Sequence, residues 1–178
     1  GIDHIYWREG RSSRHKRMYG TGLLNELTHP RELARILYWQ FKTDPTGEGE
    51  ANGWQTPAFD DSGWDRISSL SFWEDQGHAK YDGYGWYRQQ LVVPAEWAQQ
   101  KQMFIQFGAV DESFRLYIDG KLVHESLYAT ANDPDLWKKP RIVEVTRYLK
   151  PGSIQHVAVR VHDSAGAGGL WKPVFVTH

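Results

Sequence analysis

The sequence predicts an all-β protein, an antiparallel jelly-roll β-sandwich led by one short N-terminal helix. Three observations carry this expectation. Met103-Ile105-Phe107 alternates with Gln102, Phe104 and Gln106, Phe114-Leu116-Ile118 with Arg115, Tyr117 and Asp119, and Val157-Val159-Val161 with Ala158, Arg160 and His162, the two-residue period of half-buried strands. Turn-forming glycine, proline and aspartate clusters recur at spacings of roughly ten residues, as in sandwiches of short strands. A helical pattern occurs at one place only.

Residues 1–35 read as a basic N-terminal arm and the short helix, and 36–178 as the jelly-roll domain. In the arm, Arg8, Arg11, Arg14, His15, Lys16 and Arg17 crowd a stretch with few apolar residues, the pattern of a solvated arm or linker. Thr28 as a cap, Pro30 in the first turn and Glu32-Leu33-Ala34-Arg35-Ile36-Leu37 behind them predict the helix. Tyr38-Trp39-Gln40-Phe41-Lys42 then reads as extended, followed by a polar loop over 43–53. Phe59-Asp60-Asp61-Ser62-Gly63-Trp64 is an aspartate-rich turn feeding a strand over 65–68.

A long connection over 70–85 follows, and long loops in compact domains commonly carry function. It ends in Gly83-Tyr84-Gly85-Trp86-Tyr87-Arg88, a glycine-opened aromatic lip that runs into a strand and stops at Pro94. Asp119-Gly120 supplies a hairpin turn into Lys121-Leu122-Val123-His124. A second long loop covers 127–140. Val143 and Val145 alternate with Glu144, Lys150-Pro151-Gly152-Ser153 makes a turn, and 170–176 is the last expected strand.

Composition narrows the function. A chain of 178 residues can bury roughly 70% of its unfolded surface in one domain, without disulfide or metal support. It has no cysteine, which excludes thiol chemistry and cysteine-bound zinc and leaves the compartment open. A net charge of -1 argues against a general nucleic-acid or acidic-membrane binder. No apolar run approaches the ~20 residues needed to span a bilayer. The opening Gly1-Ile2-Asp3-His4 carries no signal-peptide pattern, which reads as a piece of a longer protein. There is no Gly-x-Ser-x-Gly elbow and no metal-ligand histidine spacing. Asp60-Asp61 and the acidic loop 44–50 hold calcium-type ligands, but no cofactor is predicted. Nine tryptophans beside 17 glycines suit a turn-rich β protein, with either a stacking site or a tryptophan-rich core.

The ordered series Trp39-Gln40-Phe41-Lys42-Thr43-Asp44-Pro45, Phe59-Asp60-Asp61-Ser62-Gly63-Trp64, Trp73-Glu74, Tyr81-Asp82-Gly83-Tyr84-Gly85-Trp86-Tyr87-Arg88 and Val92-Val93-Pro94 continues C-terminally. There it meets Phe107-Gly108-Ala109-Val110-Asp111, Leu116-Tyr117-Ile118-Asp119-Gly120-Lys121, Val145-Thr146-Arg147-Tyr148-Leu149-Lys150-Pro151-Gly152 and Gly169-Leu170-Trp171-Lys172-Pro173-Val174. Over about residues 38–177 this series resembles the amino-terminal sugar-binding domain of family-two glycoside hydrolases, the β-galactosidase and β-glucuronidase group. Similar galactose-binding-like jelly rolls occur in other carbohydrate-active enzymes. Residues 1–35 depart from the resemblance, and the catalytic barrel with its glutamates is absent. The resemblance therefore implies an accessory module, partnered by carbohydrate and by a catalytic domain of the parent chain. A secreted parent, extracellular or periplasmic, is the expectation.

The resemblance places loops 69–85, 109–112, 126–140 and 163–171 at one end of the sandwich, the expected site. Sugars stack their C–H faces on aromatic rings while polar groups take the hydroxyls, and both are needed for selectivity. The stacking candidates are Trp73, Tyr81, Tyr84 and Trp137, with Trp171 after the glycine run at 166–169. Glu74, Asp82, Asp111, Glu112 and Asp163 are the hydroxyl acceptors, and Arg88 a donor to hydroxyl or carboxylate. For each, packing or solvation is the competing reading, while Trp39, Trp64 and Trp86 read as core. The expected function is non-catalytic carbohydrate binding through loop aromatics. The alternatives are a structural domain packed on a glycoside hydrolase catalytic domain without binding sugar, or an enzyme with Asp111 or Glu112 as acid or base.

Overall fold

A computed structural model describes residues 33–178. The basic arm lies outside the described residues. Ten strands run in chain order: β1 Leu33–Ile36, β2 Tyr38–Asp44, β3 Asp65–Ser68, β4 Gly83–Val92, β5 Phe104–Phe107, β6 Ser113–Ile118, β7 Lys121–Ser126, β8 Arg141–Glu144, β9 Ile154–Asp163 and β10 Val174–Thr177. They form two antiparallel sheets, a four-stranded one ordered β1-β10-β5-β8 and a six-stranded one ordered β3-β2-β4-β9-β6-β7. The result is the β-sandwich that the alternating patterns predict.

β4 and β9 are the spine of the larger sheet, paired in register from Gly83↔Asp163 to Val92↔Ile154. Val157, Val159 and Val161 on one face of β9 join Trp39, Phe41, Tyr87, Phe114, Leu116, Ile105, Phe107 and Val176 in the main core. Burying such side chains stabilises by about 1.5–3 kcal/mol each, so this inter-sheet layer dominates the fold.

Two sequence expectations are corrected. The helix expected through Leu37 is strand β1 over the part described, with Leu33 opposite Thr177 and Ile36 opposite Val174. Helix propensity is a weak determinant, and pairing with the edge of β10 while burying Ile36 overrides it. The last strand begins at Val174 rather than at 170, because Leu170 makes only an isolated bridge to Val110 and Pro173 offers no N–H to a ladder.

Residues 45–64 fold back over the outer face of the six-stranded sheet and form a second core. Trp54 packs on Trp64 at 5.0 Å, and Trp86 stacks on Tyr117 at 5.7 Å. The buried Asp44 carboxylate anchors this loop by accepting from Glu48 N at 3.0 Å, Gly49 N at 2.9 Å and Trp86 Nε1 at 2.9 Å. Gly49 is required by close approach, since a Cβ there would lie 2.5 Å from Trp86 Nε1. The carboxylates considered for calcium are engaged by protein donors: Asp60 by Ser62 N, Asp61 by Arg88, and Glu50 by Arg115 and Arg160.

Candidate functional site

Four loops meet at the end of the sandwich where β4 begins and β9 finishes. Trp73 N donates to Gly168 O at 3.2 Å, and Asp111 N donates to Gly169 O at 3.0 Å. Trp171 Nε1 donates to Trp137 O at 3.2 Å, which ties in the 127–140 loop. The rim therefore contains the loops expected from the sequence.

Carboxylates gather at its floor. Among the described residues, Asp111, Glu112 and Asp163 form the set whose ligand-type oxygens all lie within 4.8 Å of one another, close enough to ligate one cation. Asp111 is 5% exposed and Asp163 fully buried, and no protein donor reaches Oδ2 of either. Burial, together with the charges of Asp163, Glu112 and Glu74, pushes the Asp111 carboxyl up to about 8. Burial also raises Asp163. Two carboxylates this close do not both ionise cheaply, which favours keeping one proton on the pair. Asp163 Oδ1 accepts from Ala165 N at 2.9 Å, which curls the following loop back over the pair.

Glu112 has a left-handed backbone, with φ 36°, unusual for a residue with a side chain. It accepts from Ser164 Oγ at 2.8 Å and Ser164 N at 2.9 Å, bonds that hold it in that conformation. Glu74 accepts from Gly168 N at 3.2 and 3.1 Å through its two oxygens, and burial raises its pKa. Asp82 is exposed beside them and adds negative charge near Asp163.

The aromatic wall differs from expectation. Trp73 is fully buried, packed on Phe41 and Tyr81 at 5.7 Å each, with Nε1 donating to Tyr81 O at 3.1 Å. It cannot stack on a sugar. Gly85 and Gly168 make this possible, since a Cβ on either would lie 2.4 and 2.3 Å from its ring. Tyr81 is also committed: its hydroxyl donates to Tyr84 O at 2.7 Å and accepts from Asp44 N at 3.2 Å. Arg88 is a structural cation inside the second core. Its guanidinium donates to Asp61 at 2.7 Å and to the carbonyls of Trp54, Thr56 and Phe59, and at 1% exposure it is held by the fold rather than offered to a ligand. Tyr84 sits on the outer sheet face, with Arg160 4.6 Å from its ring centroid and His162 at 4.4 Å.

Trp137 and Trp171 do form a surface. Phe72 stacks on Trp171 at 5.0 Å, and Trp137 lies 5.7 Å from Trp171, a three-ring ladder. Trp137, at 36% exposure, is its open member. Lys172 Nζ lies 4.4 Å over the Trp171 ring, and burial lowers its pKa. Sequence reasoning missed Phe72, Ser164 and Lys172. The pair Phe72-Trp73 sends one ring to the rim and one to the core, and only the glycines facing Trp73 signal which.

The two sheets and this rim define an antiparallel β-sandwich with a site-like cluster of loops at one end. The family model for the sugar binding domain of glycosyl hydrolases family 2 matches residues 53–168, and the chain belongs to that family. It is similar to a β-galactosidase of Priestia megaterium, 24% identical over 74% of this chain and 14% of that one. Solved structures of the Ruminococcus gnavus β-glucuronidase superpose with a TM-score of 0.70 at 18% identity, over 83% of this chain and 28% of theirs. One of these, with the same TM-score, is in complex with D-glucuronic acid. The chain thus spans well under a third of the relatives it matches.

Proposed function

We propose that the chain is a non-catalytic carbohydrate-recognition module of a larger carbohydrate-active enzyme, with saccharide lying against Trp137 at the rim. The observation that carries this reading is an open tryptophan, capping a ring ladder, on the same loop cluster as four acidic side chains. A pyranose presents an apolar C–H face and a fringe of hydroxyls. Trp137 suits the first, and Glu112 and Asp82 the second. Because one ring is open and the site is shallow, affinity is modest, with Kd about 1 mM corresponding to ~4 kcal/mol. The partner domain is the catalytic part of the parent chain, consistent with the fraction of each relative that this chain spans.

A glycan array followed by calorimetry on residues 1–178 tests the reading. At least one saccharide is expected to bind, and Trp137→Ala to weaken it tenfold or more with the melting temperature unchanged. A folded domain that binds nothing on the array, or a Trp137→Ala variant that binds as the parent does, refutes it.

A further inference from the structure

We infer a second saccharide-binding site, distinct from the rim, on the outer face of the six-stranded sheet at its opposite end. The registers place Arg66 beside Gln40, Tyr38 beside Ser68 and Gln90 beside His156 on adjacent strands of the same face. Gln40 faces Arg88, which puts β4 in step with them. These side chains line a cleft of about 360 Å³, walled on one side by Asp61 of the covering loop. That volume lies at the lower end of the ~300–1,000 Å³ occupied by small-molecule sites.

The lining chemistry selects the ligand. Tyr38 is 51% exposed, and Arg66 lies 4.8 Å from its ring centroid. No second ring packs on Tyr38 among the described residues. Gln40 Nε2 donates to Asp61 O at 3.1 Å, which leaves its Oε1 for a ligand. The Gln90 carboxamide and the His156 ring make no side-chain hydrogen bond among the described residues, while Asp61 is held by Arg88 at 2.7 Å. The cleft thus offers a ring face, two carboxamides that both donate and accept, an imidazole and a guanidinium, with its carboxylate already neutralised. Hydroxyls, which also donate and accept, match this set. A neutral pyranoside of one or two units is the occupant. From Tyr38 to Asp44, at the rim end of β2, six residues at ~3.3 Å rise give about 20 Å, so one such unit cannot touch Trp137 as well.

The test titrates the 178-residue chain with cellobiose, mannobiose and galactobiose, followed by two-dimensional NMR. At least one probe is expected to shift the backbone signals of Tyr38, Gln90 and His156. Tyr38→Ala and Gln90→Ala are then expected to weaken that binding tenfold or more, and Trp137→Ala to leave it intact. Both substituted side chains are exposed, and either variant carries the test if the other is unstable. The site is overturned if no probe shifts these signals in the folded chain, or if affinity is unchanged in the folded variants. Because the Trp137→Ala arm reports on the rim alone, failure of one site is distinguishable from failure of the other.

Discussion

Replacing Asp111 by Asn tests the shared proton at the rim directly. The unfolded chain releases this proton near the ordinary value of 3.8, whereas the folded chain holds it until about 8. Between those values the native state binds one more proton than the unfolded state, so stability falls as pH rises, by up to about 1.4 kcal/mol per pH unit. It is fully present below about 4 and lost once pH passes about 8. From pH 5 to pH 7 the loss is roughly 3 kcal/mol, or several degrees in melting temperature for a chain of this size. Asn has the shape of the protonated carboxyl and an N–H to offer Asp163, but no proton to lose. Urea titrations of both proteins at pH 5, 6 and 7 and fixed ionic strength measure the difference, with the eight histidines common to both. The Asn variant is expected to gain on the parent steadily as pH rises. Parallel stability curves would show that Asp111 ionises normally and that no proton is shared.

Trp73→Ala is expected to cost about 3–5 kcal/mol, the range for large aromatic truncations in a core, read by urea denaturation. Trp137→Ala, at the open end of the ladder, is expected to stay within about 1 kcal/mol in the same assay. Gly168→Ala puts a methyl 2.3 Å from Trp73 Cζ2 and is expected to cost about 1–3 kcal/mol, with a blue or red shift of tryptophan fluorescence as Trp73 is displaced. Arg88→Met leaves Asp61 and three carbonyls without their donor, and a loss of about 3–5 kcal/mol is expected on denaturation. A loss under 1 kcal/mol would mean that water replaces the guanidinium.

The strands with a clean two-residue period were legible in the sequence because one face of each lies in the continuous apolar layer between the sheets and the other does not. Val157, Val159 and Val161 on β9 are the plainest case. β1 was not legible, since Leu33-Ala34-Arg35-Ile36 has the composition of a helix turn and becomes a strand only because β10 offers an edge. The rim loops were legible as loops, and their carboxylates as a group, because turns, glycines and acidic residues mark themselves locally. Which aromatic faces outward was not. Trp73 and Trp137 are alike in sequence context, both in long polar connections, and differ only in what lies across from them. Arg88 failed for a related reason: its partners come from residues 54–61, a loop whose fold over the sheet has no local signature.

The glycine run deserves a different physical reading from the one its sequence invites. Missing side chains at Gly166, Gly168 and Gly169 suggest room for a ligand, yet the room at Gly168 is filled by Trp73, and at Gly169 by the Tyr87 hydroxyl, 2.3 Å from where a Cβ would stand. Leu170 N donates to that same hydroxyl at 3.1 Å, and Gly168 N to Glu74. Gly168 and Gly169 therefore clamp the loop to the core, while Gly166 faces open space. That clamp bears on recognition, because Trp171 and Asp163 flank the loop and are fixed by it. A surface ordered before the ligand arrives loses less freedom on binding, a saving of about 0.5–1.5 kcal/mol for each side chain already immobilised. With one open ring and a few carboxylates to work with, a difference of that size decides whether a pyranose is held at all. Loosening the clamp is then expected to weaken rim binding without touching a residue that meets the sugar, and Gly168→Ala would do so at saccharide concentrations where the parent is half-saturated. Equal affinity in a folded Gly168→Ala domain would show that loop order contributes nothing to recognition.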